Sequence, residues 1–280
     1  MTAGPPRPAA PFAWAGAAAA HDDAKAKARL VRYLRASGAR GAGALAAILE
    51  SCTATIPCQS GACLHCGRDL QRAHARLVEE AIRTPARALR NRASQITLVP
   101  ASACVEPGAL TAELLASVRE TTALTAMAAG LGPTVFGIDI SYNVDLEGET
   151  DPHWMPHGHG TSLDWLSKAQ DKALRSGFPA SDLIRRPVDI RELDGRQNGP
   201  DYAAKPDRFQ RESYVVTPKP GADRGPYRDT RYHPLRAEQA VELALVEHEV
   251  GLRARVVTHG IADEVVERAL GGFNWARDGP

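Results

Sequence analysis

No stretch of this chain approaches the roughly 18 consecutive apolar residues that a membrane-spanning helix needs. Residues Met1 to Ala20 also lack the basic start and continuous apolar run of a secretory signal, so the expectation is a soluble, cytoplasmic protein with no membrane partner. Net charge is almost absent, at +1, which argues against coating nucleic acid by bulk electrostatics and confines any DNA binding to local patches. Lysine is scarce. The six lysines stand at 25, 27, 168, 172, 205 and 219, and the remaining positive charge is arginine, whose planar fork donates two hydrogen bonds to one phosphate. No Walker-type phosphate loop occurs, so any helicase has to be a separate protein. The opening, with Pro5, Pro6, Pro8 and Pro11, has too few large apolar groups to repay ordering and reads as a mobile tail over 1–21.

What remains is a 280-residue chain with 44% hydrophobic residues, enough for one enzyme domain and a small appendage. Cysteine is rare except in one place. Cys52, Cys58, Cys63 and Cys66 fall in the spacing Cys-x5-Cys-x4-Cys-x2-Cys, and only Cys104 lies elsewhere. In a chain with no sign of secretion, closely spaced cysteines point to metal rather than disulfides, and four thiolates suit the tetrahedral preference of zinc. His65 or His74 offers a substitute for one cysteine. The spacing is not that of a finger that reads the major groove, so the cluster reads first as a structural staple for helices over Asp23–Ala36 and Asp69–Asn91.

From residue 95 the periodicity alternates. Gln95–Pro100 reads as a strand, Pro107–Ala129 as an amphipathic helix, Thr134–Asn143 and Trp154–Gly160 as strands around a polar turn, Ser162–Ser176 as a helix, Pro187–Leu193 as a strand, and Gly199 onward as a helix. This order predicts an α+β fold, with an antiparallel sheet of split β-α-β type (ferredoxin-like) and helices on one face. Leu235–Val250 has helical spacing, and the arginines at 208, 211, 224, 228 and 231, interleaved with Tyr214, Tyr227 and Tyr232, have the composition of a single-strand path or of a solvated loop.

His157 and His159 point to one face of their strand because side chains alternate with period two. Asp139 lies on the polar face of the adjacent strand, and in the expected register it supplies a third ligand. Two imidazoles and a carboxylate suit Mn²⁺ or Mg²⁺, with positions left open for a phosphate oxygen. His153 shares the parity, and a zinc hydrolase built on the histidines at 153, 157 and 159 is the rival reading. Tyr202 and Lys205, three apart in Tyr202-Ala203-Ala204-Lys205, share a helix face, so that lysine or metal can activate a phenol whose ordinary pKa is near 10. Tyr214 is a second candidate nucleophile. Arg208 and Arg211 are candidate DNA contacts.

The order of cysteine cluster, histidine pair and tyrosine with a lysine three residues on resembles that of rolling-circle replication initiator proteins of the HUH endonuclease superfamily. The segment Trp154-Met155-Pro156-His157-Gly158-His159-Gly160 looks like the family pattern Trp-His-Pro-His-hydrophobic-His. It departs in having Gly158 and Gly160, which either let a DNA backbone approach the metal or mark a degenerate site. The resemblance spans about Cys52 to Lys205. It implies a helical zinc-binding segment over 22–92, a nuclease core over 93–215 and a C-terminal loop and helical extension over 216–280. It further implies metal-dependent nicking and joining of single-stranded DNA at a plasmid-type replication origin, through a 5′-phosphotyrosyl intermediate, with a host helicase and polymerase as partners. Single-strand transposition and non-catalytic DNA binding are the alternatives.

Overall fold

The computed structural model describes residues 17–82, 93–193, 202–218 and 225–273, with side chains from residue 23. The tail expected over 1–21 falls largely outside these residues, as do the end of the helix expected to reach Asn91, the start of that expected from Gly199, and Arg224. Among the described residues, no helix is long and apolar enough to cross a membrane.

Three helices open the fold: α1 (Ala17–Ala36), α2 (Ala42–Ser51) and α3 (Leu64–Ile82). The short helix α2 has no counterpart among the sequence expectations. It follows Gly41, which takes a left-handed φ of 82° that a side chain would strain, and it packs on α1, burying Leu45 and Leu49, four residues apart, in one core with Leu30 and Leu34.

The chain then enters a mixed sheet through β1 (Ser94–Leu98), α4 (Ala112–Ala128), β2 (Thr134–Asp145), β3 (His153–Ser162), α5 (Lys168–Gly177) and β4 (Val188–Glu192). Thr111 caps α4 by accepting from Leu114 N, and Ser167 with Gln170 forms a reciprocal capping box on α5. Strands β5 (Phe209–Val216) and β6 (Tyr227–Pro234), helix α6 (Ala237–Val250), strand β7 (Val256–His259) and helix α7 (Asp263–Leu270) complete the order. The strands run β4-β1-β3-β2-β5-β6, with β7 also on β2. All pairs are antiparallel except β2 with β5. The edge of β2 opposite β3 is divided: β7 takes Thr134–Gly137, β5 takes Tyr142–Asp145, and the residues between are left to other partners.

The segment after 216, read in the sequence as loop and helix, thus adds two strands to the same sheet. Strand β6 was illegible because its alternation is of charged and polar residues, and β7 because it is only Val256–His259.

One sheet face is apolar and covered. Ile96, Leu98, Phe136 and Ile138 pack against Val118 and Ala126 of α4 and Leu174 of α5. Gly158 and Gly160 belong to this face, not to the face of the histidines. A Cβ on Gly160 would fall 2.2 Å from the Phe136 ring, and one on Gly158 would fall 3.3 Å from Thr122 of α4. The expectation that these glycines admit a DNA backbone beside the histidines is therefore corrected: the space they leave is on the core side, next to Phe136 and Thr122. Gly160→Ala is expected to lower stability by about 1–3 kcal/mol through overpacking. Chemical denaturation checks this, with Mn²⁺ binding unchanged in the folded variant.

Candidate functional site

The four clustered cysteines converge at the entry of α3. Sulfur separations are 3.6 Å for Cys52 and Cys66, 3.8 Å for Cys58 and Cys66, and 3.5 Å for Cys63 and Cys52. A disulfide would bring sulfurs to about 2.05 Å. A tetrahedral ion with bonds of about 2.3 Å sets its ligands about 3.8 Å apart, which is close to the observed edge. Hydrogen bonds from Cys58 and Cys66 pull the Cys63 thiol well below its ordinary range, and the same contact with Cys63 pushes Cys58 up to about 12. This group can hold a metal ion. His65 lies outside it, 3.8 Å from Asp69, and His74 is buried elsewhere.

A second group of possible ligands forms on the opposite side of the sheet from α4. Asp139 of β2 stands across from His157 of β3, and Gly137 across from His159. The two imidazole Nε2 atoms are 2.9 Å apart, and Asp139 Oδ2 is 3.8 Å from His157 Nε2. An octahedral ion with bonds of about 2.1 Å places adjacent ligands about 3.0 Å apart, so the imidazoles already have the spacing of neighbouring ligands. Outer partners aim both rings. His157 Nδ1 donates to Met155 O at 2.8 Å, which leaves its Nε2 lone pair turned inward, and His159 Nδ1 lies 2.8 Å from Thr97 Oγ1 on β1.

The electrostatics suit ligation. Burial pushes His157 below the ordinary imidazole range, and burial together with His157 pushes His159 down to about 3, so both rings are neutral at neutral pH. Burial works to raise the Asp139 carboxyl, but Lys205 and the histidines outweigh it and hold it at about 2. The Lys205 ammonium in turn is held above its ordinary range by Asp139 despite its burial, with Nζ 3.2 Å from Asp139 Oδ2.

Tyr202 and Lys205 reach this site from a separate turn laid over the sheet. The Lys205 ammonium sits 3.8 Å from the centre of the Tyr202 ring, and that ring meets His159 edge to face at 5.0 Å. Tyr202 remains 42% exposed. Gly137 makes the close approach possible, because a Cβ there would fall 1.8 Å from the Ala203 carbonyl oxygen. Buried Arg255 donates to Lys205 O at 2.8 Å and to Ile138 O, tying the turn to the undivided stretch of β2. The residues that follow are fixed by the cysteine-bearing helix. Pro206 packs on Gly67, Arg68 clamps Asp207 and Asp23, and Arg208 donates to Gly61 O at 2.7 Å while pairing with buried Glu247 of α6.

Asp139, His157, His159, Tyr202 and Lys205 line one hollow of about 440 Å³, together with Arg211 and Tyr232. The Arg211 side chain makes no hydrogen bond or ion pair among the described residues, its Nε lying buried without a partner, and can meet an anion. Arg208, by contrast, is corrected from a DNA contact to a structural brace. Arg228 and Arg231 are engaged by Asp145, Glu149 and Glu212. Tyr214 points to the other face of β5, beneath Arg231 at 5.5 Å. His153 bonds Asp151 O and stands apart from the ligand group. Sequence reasoning missed Thr97, Gly137, Arg255 and Glu247. Of these only Gly137 carried a signal, being a glycine in the interior of a strand. No protein-family model, curated protein or solved structure matches the chain.

Proposed function

We propose that this protein is a tyrosine-dependent DNA nickase and joining enzyme of the rolling-circle replication type, acting on single-stranded DNA in the cytoplasm with a host helicase and polymerase. The observation that carries the reading is the convergence of Asp139, His157 and His159 with Tyr202 and Lys205 in one hollow, from segments far apart in the chain. The strand order β4-β1-β3-β2, with α4 and α5 on the opposite face, also supports it, because a split β-α-β core of the kind this reading calls for would order its strands in this way. Zinc fits the four cysteines as a structural ion. Mn²⁺ or Mg²⁺ fits the two imidazoles and the carboxylate, where it would polarise the scissile phosphodiester.

The side chains then have distinct roles. Asp139 has two possible partners: it pairs with Lys205, and if it held the ion it would free that ammonium for the phosphate. Arg211 stands ready for a second phosphate oxygen. Tyr202 Oη attacks phosphorus as the bond from phosphorus to the 3′ oxygen breaks. The phenolic proton passes to solvent, which reaches the half-exposed ring, and the 3′ oxygen takes a proton from water. The products are a 5′-phosphotyrosyl link and a free 3′-hydroxyl. Since one phosphodiester replaces another, the step is reversible and permits rejoining. Origin nicking and single-strand transposition both use this step.

The test is a denaturing gel of protein with Mn²⁺ and labelled single-stranded DNA that includes the sequences flanking its own gene. A detergent-stable adduct is expected for the wild type and for Tyr214→Phe, but not for Tyr202→Phe or in the presence of chelator. DNA binding with no adduct under any metal condition would leave a non-catalytic binding protein instead.

A further inference from the structure

Tyr232, which lines the metal hollow, pairs edge to face with Phe209 at a ring-centre distance of 6.3 Å. Phe209 faces a second cavity, of about 470 Å³, set among α1, the start of α3 and the residues leading into β5. The ring pair therefore joins two hollows, with only the first holding the metal ligands and Tyr202.

The second cavity has a composite lining. Leu30, Leu64 and Leu235 give an apolar floor, and Tyr33 and Phe209 contribute rings. Arg68 and Arg208 are neutralised within the fold by Asp23, Asp207 and Glu247. Lys25 and Arg29 are not: neither makes an ion pair or hydrogen bond among the described residues, although both line the cavity. Apolar floor, aromatic faces and two uncommitted cations match a ligand with a flat unsaturated ring and a phosphate. The volume is that of a small-molecule site. An unpaired base has a free face to stack on a side-chain ring, whereas the faces of a base in a duplex are covered by its neighbours.

We infer that this cavity binds an unpaired nucleotide of the same strand whose phosphodiester lies at Tyr202, its base against Tyr33 and Phe209 and its phosphate on Lys25 and Arg29. The inference rests on the nicking reading for the strand's course, and it adds a site that holds one base of that strand away from the cut.

Equilibrium binding of labelled oligothymidylate to the full-length Tyr202→Phe protein tests it without any chemistry. Phe209→Leu is expected to weaken binding about tenfold, within the range for loss of one base–ring stack, and to leave the salt dependence unchanged. Arg29→Ala is expected to lower the slope of log affinity against log salt by about 0.7, the increment for one single-strand phosphate contact, and Arg29→Lys to restore it. Circular dichroism melting establishes that each variant is folded. If folded Phe209→Leu and Arg29→Ala bind like the parent, the site is overturned. It is equally overturned if they weaken only thymidine monophosphate, because the cavity then takes a free nucleotide. Adduct formation by the same variants with Tyr202 intact is read separately. A chain that forms no adduct yet shows both binding effects loses the nicking reading and keeps the site.

Discussion

Gly137→Ala is expected to reduce formation of the tyrosyl–DNA adduct at least about a hundredfold while Mn²⁺ still binds. The cause is steric and local. The new methyl would lie 1.8 Å from the Ala203 carbonyl oxygen, a distance no contact sustains, so either the strand or the turn must move. Strand β2 is paired along its length with β3 and, at Gly137 itself, with β7 on the other side, so it holds its place. The turn yields, and with it Tyr202 and Lys205. A shift of about 1 Å in a reacting group costs on the order of a hundredfold in rate. The imidazoles of His157 and His159 are aimed by Met155 O and Thr97 of the sheet, and Asp139 stays on β2, so the group that could hold the ion is expected to persist. Adduct yield on a denaturing gel, set beside Mn²⁺ titration by electron paramagnetic resonance, separates the two effects. Full activity in Gly137→Ala would show that the turn does not position the nucleophile.

Cys63→Ser is expected to be the most damaging single change. Structural zinc sites contribute roughly 10–16 kcal/mol of apparent folding free energy in small domains, while a whole domain is stable by only about 5–15 kcal/mol. Three of the four cysteines are buried and Cys58 is partly buried, and without an ion their sulfurs would be crowded together with nothing to hold them. The expected result is less than one zinc per chain, loss of part of the helical circular dichroism signal and loss of adduct formation. The last follows even if the sheet survives, because Gly67, Arg68 and Gly61 seat Pro206, Asp207 and Arg208. A variant with normal helix content and normal adduct yield would reduce the cluster to an ornament of the surface.

The sequence was most readable where one local rule sufficed. Period two brought His157, His159 and Asp139 to one face, and the observed register sets Asp139 opposite His157. Cysteine spacing alone identified the four sulfurs. Tyr202 and Lys205 were grouped by helical spacing, and their ring and ammonium are in contact. What could not be read depended on distant partners. Arg208 and Arg211 look alike in sequence, and only the arrival of Glu247 and Gly61 commits the first to the fold and leaves the second at the site. Gly158 and Gly160 were weighed as features of the metal site because nothing local reveals that Phe136 and Thr122 occupy the space beside them.

Arg208 also sets an order of events as the chain is made. It bonds Gly61, 147 residues before it, and Glu247, 39 residues after it, and Arg255 holds the Lys205 carbonyl from 50 residues further on. Because synthesis runs from the N-terminus, β2 and β3 have left the ribosome, with Asp139, His157 and His159, well before α6 and Arg255 exist. A nascent chain therefore carries a complete set of ligands but no fixed tyrosine. On the nicking reading proposed above, competence to break a strand would arrive only with the last quarter of the polypeptide, and an unfinished product would carry the ligand group without the means to cut.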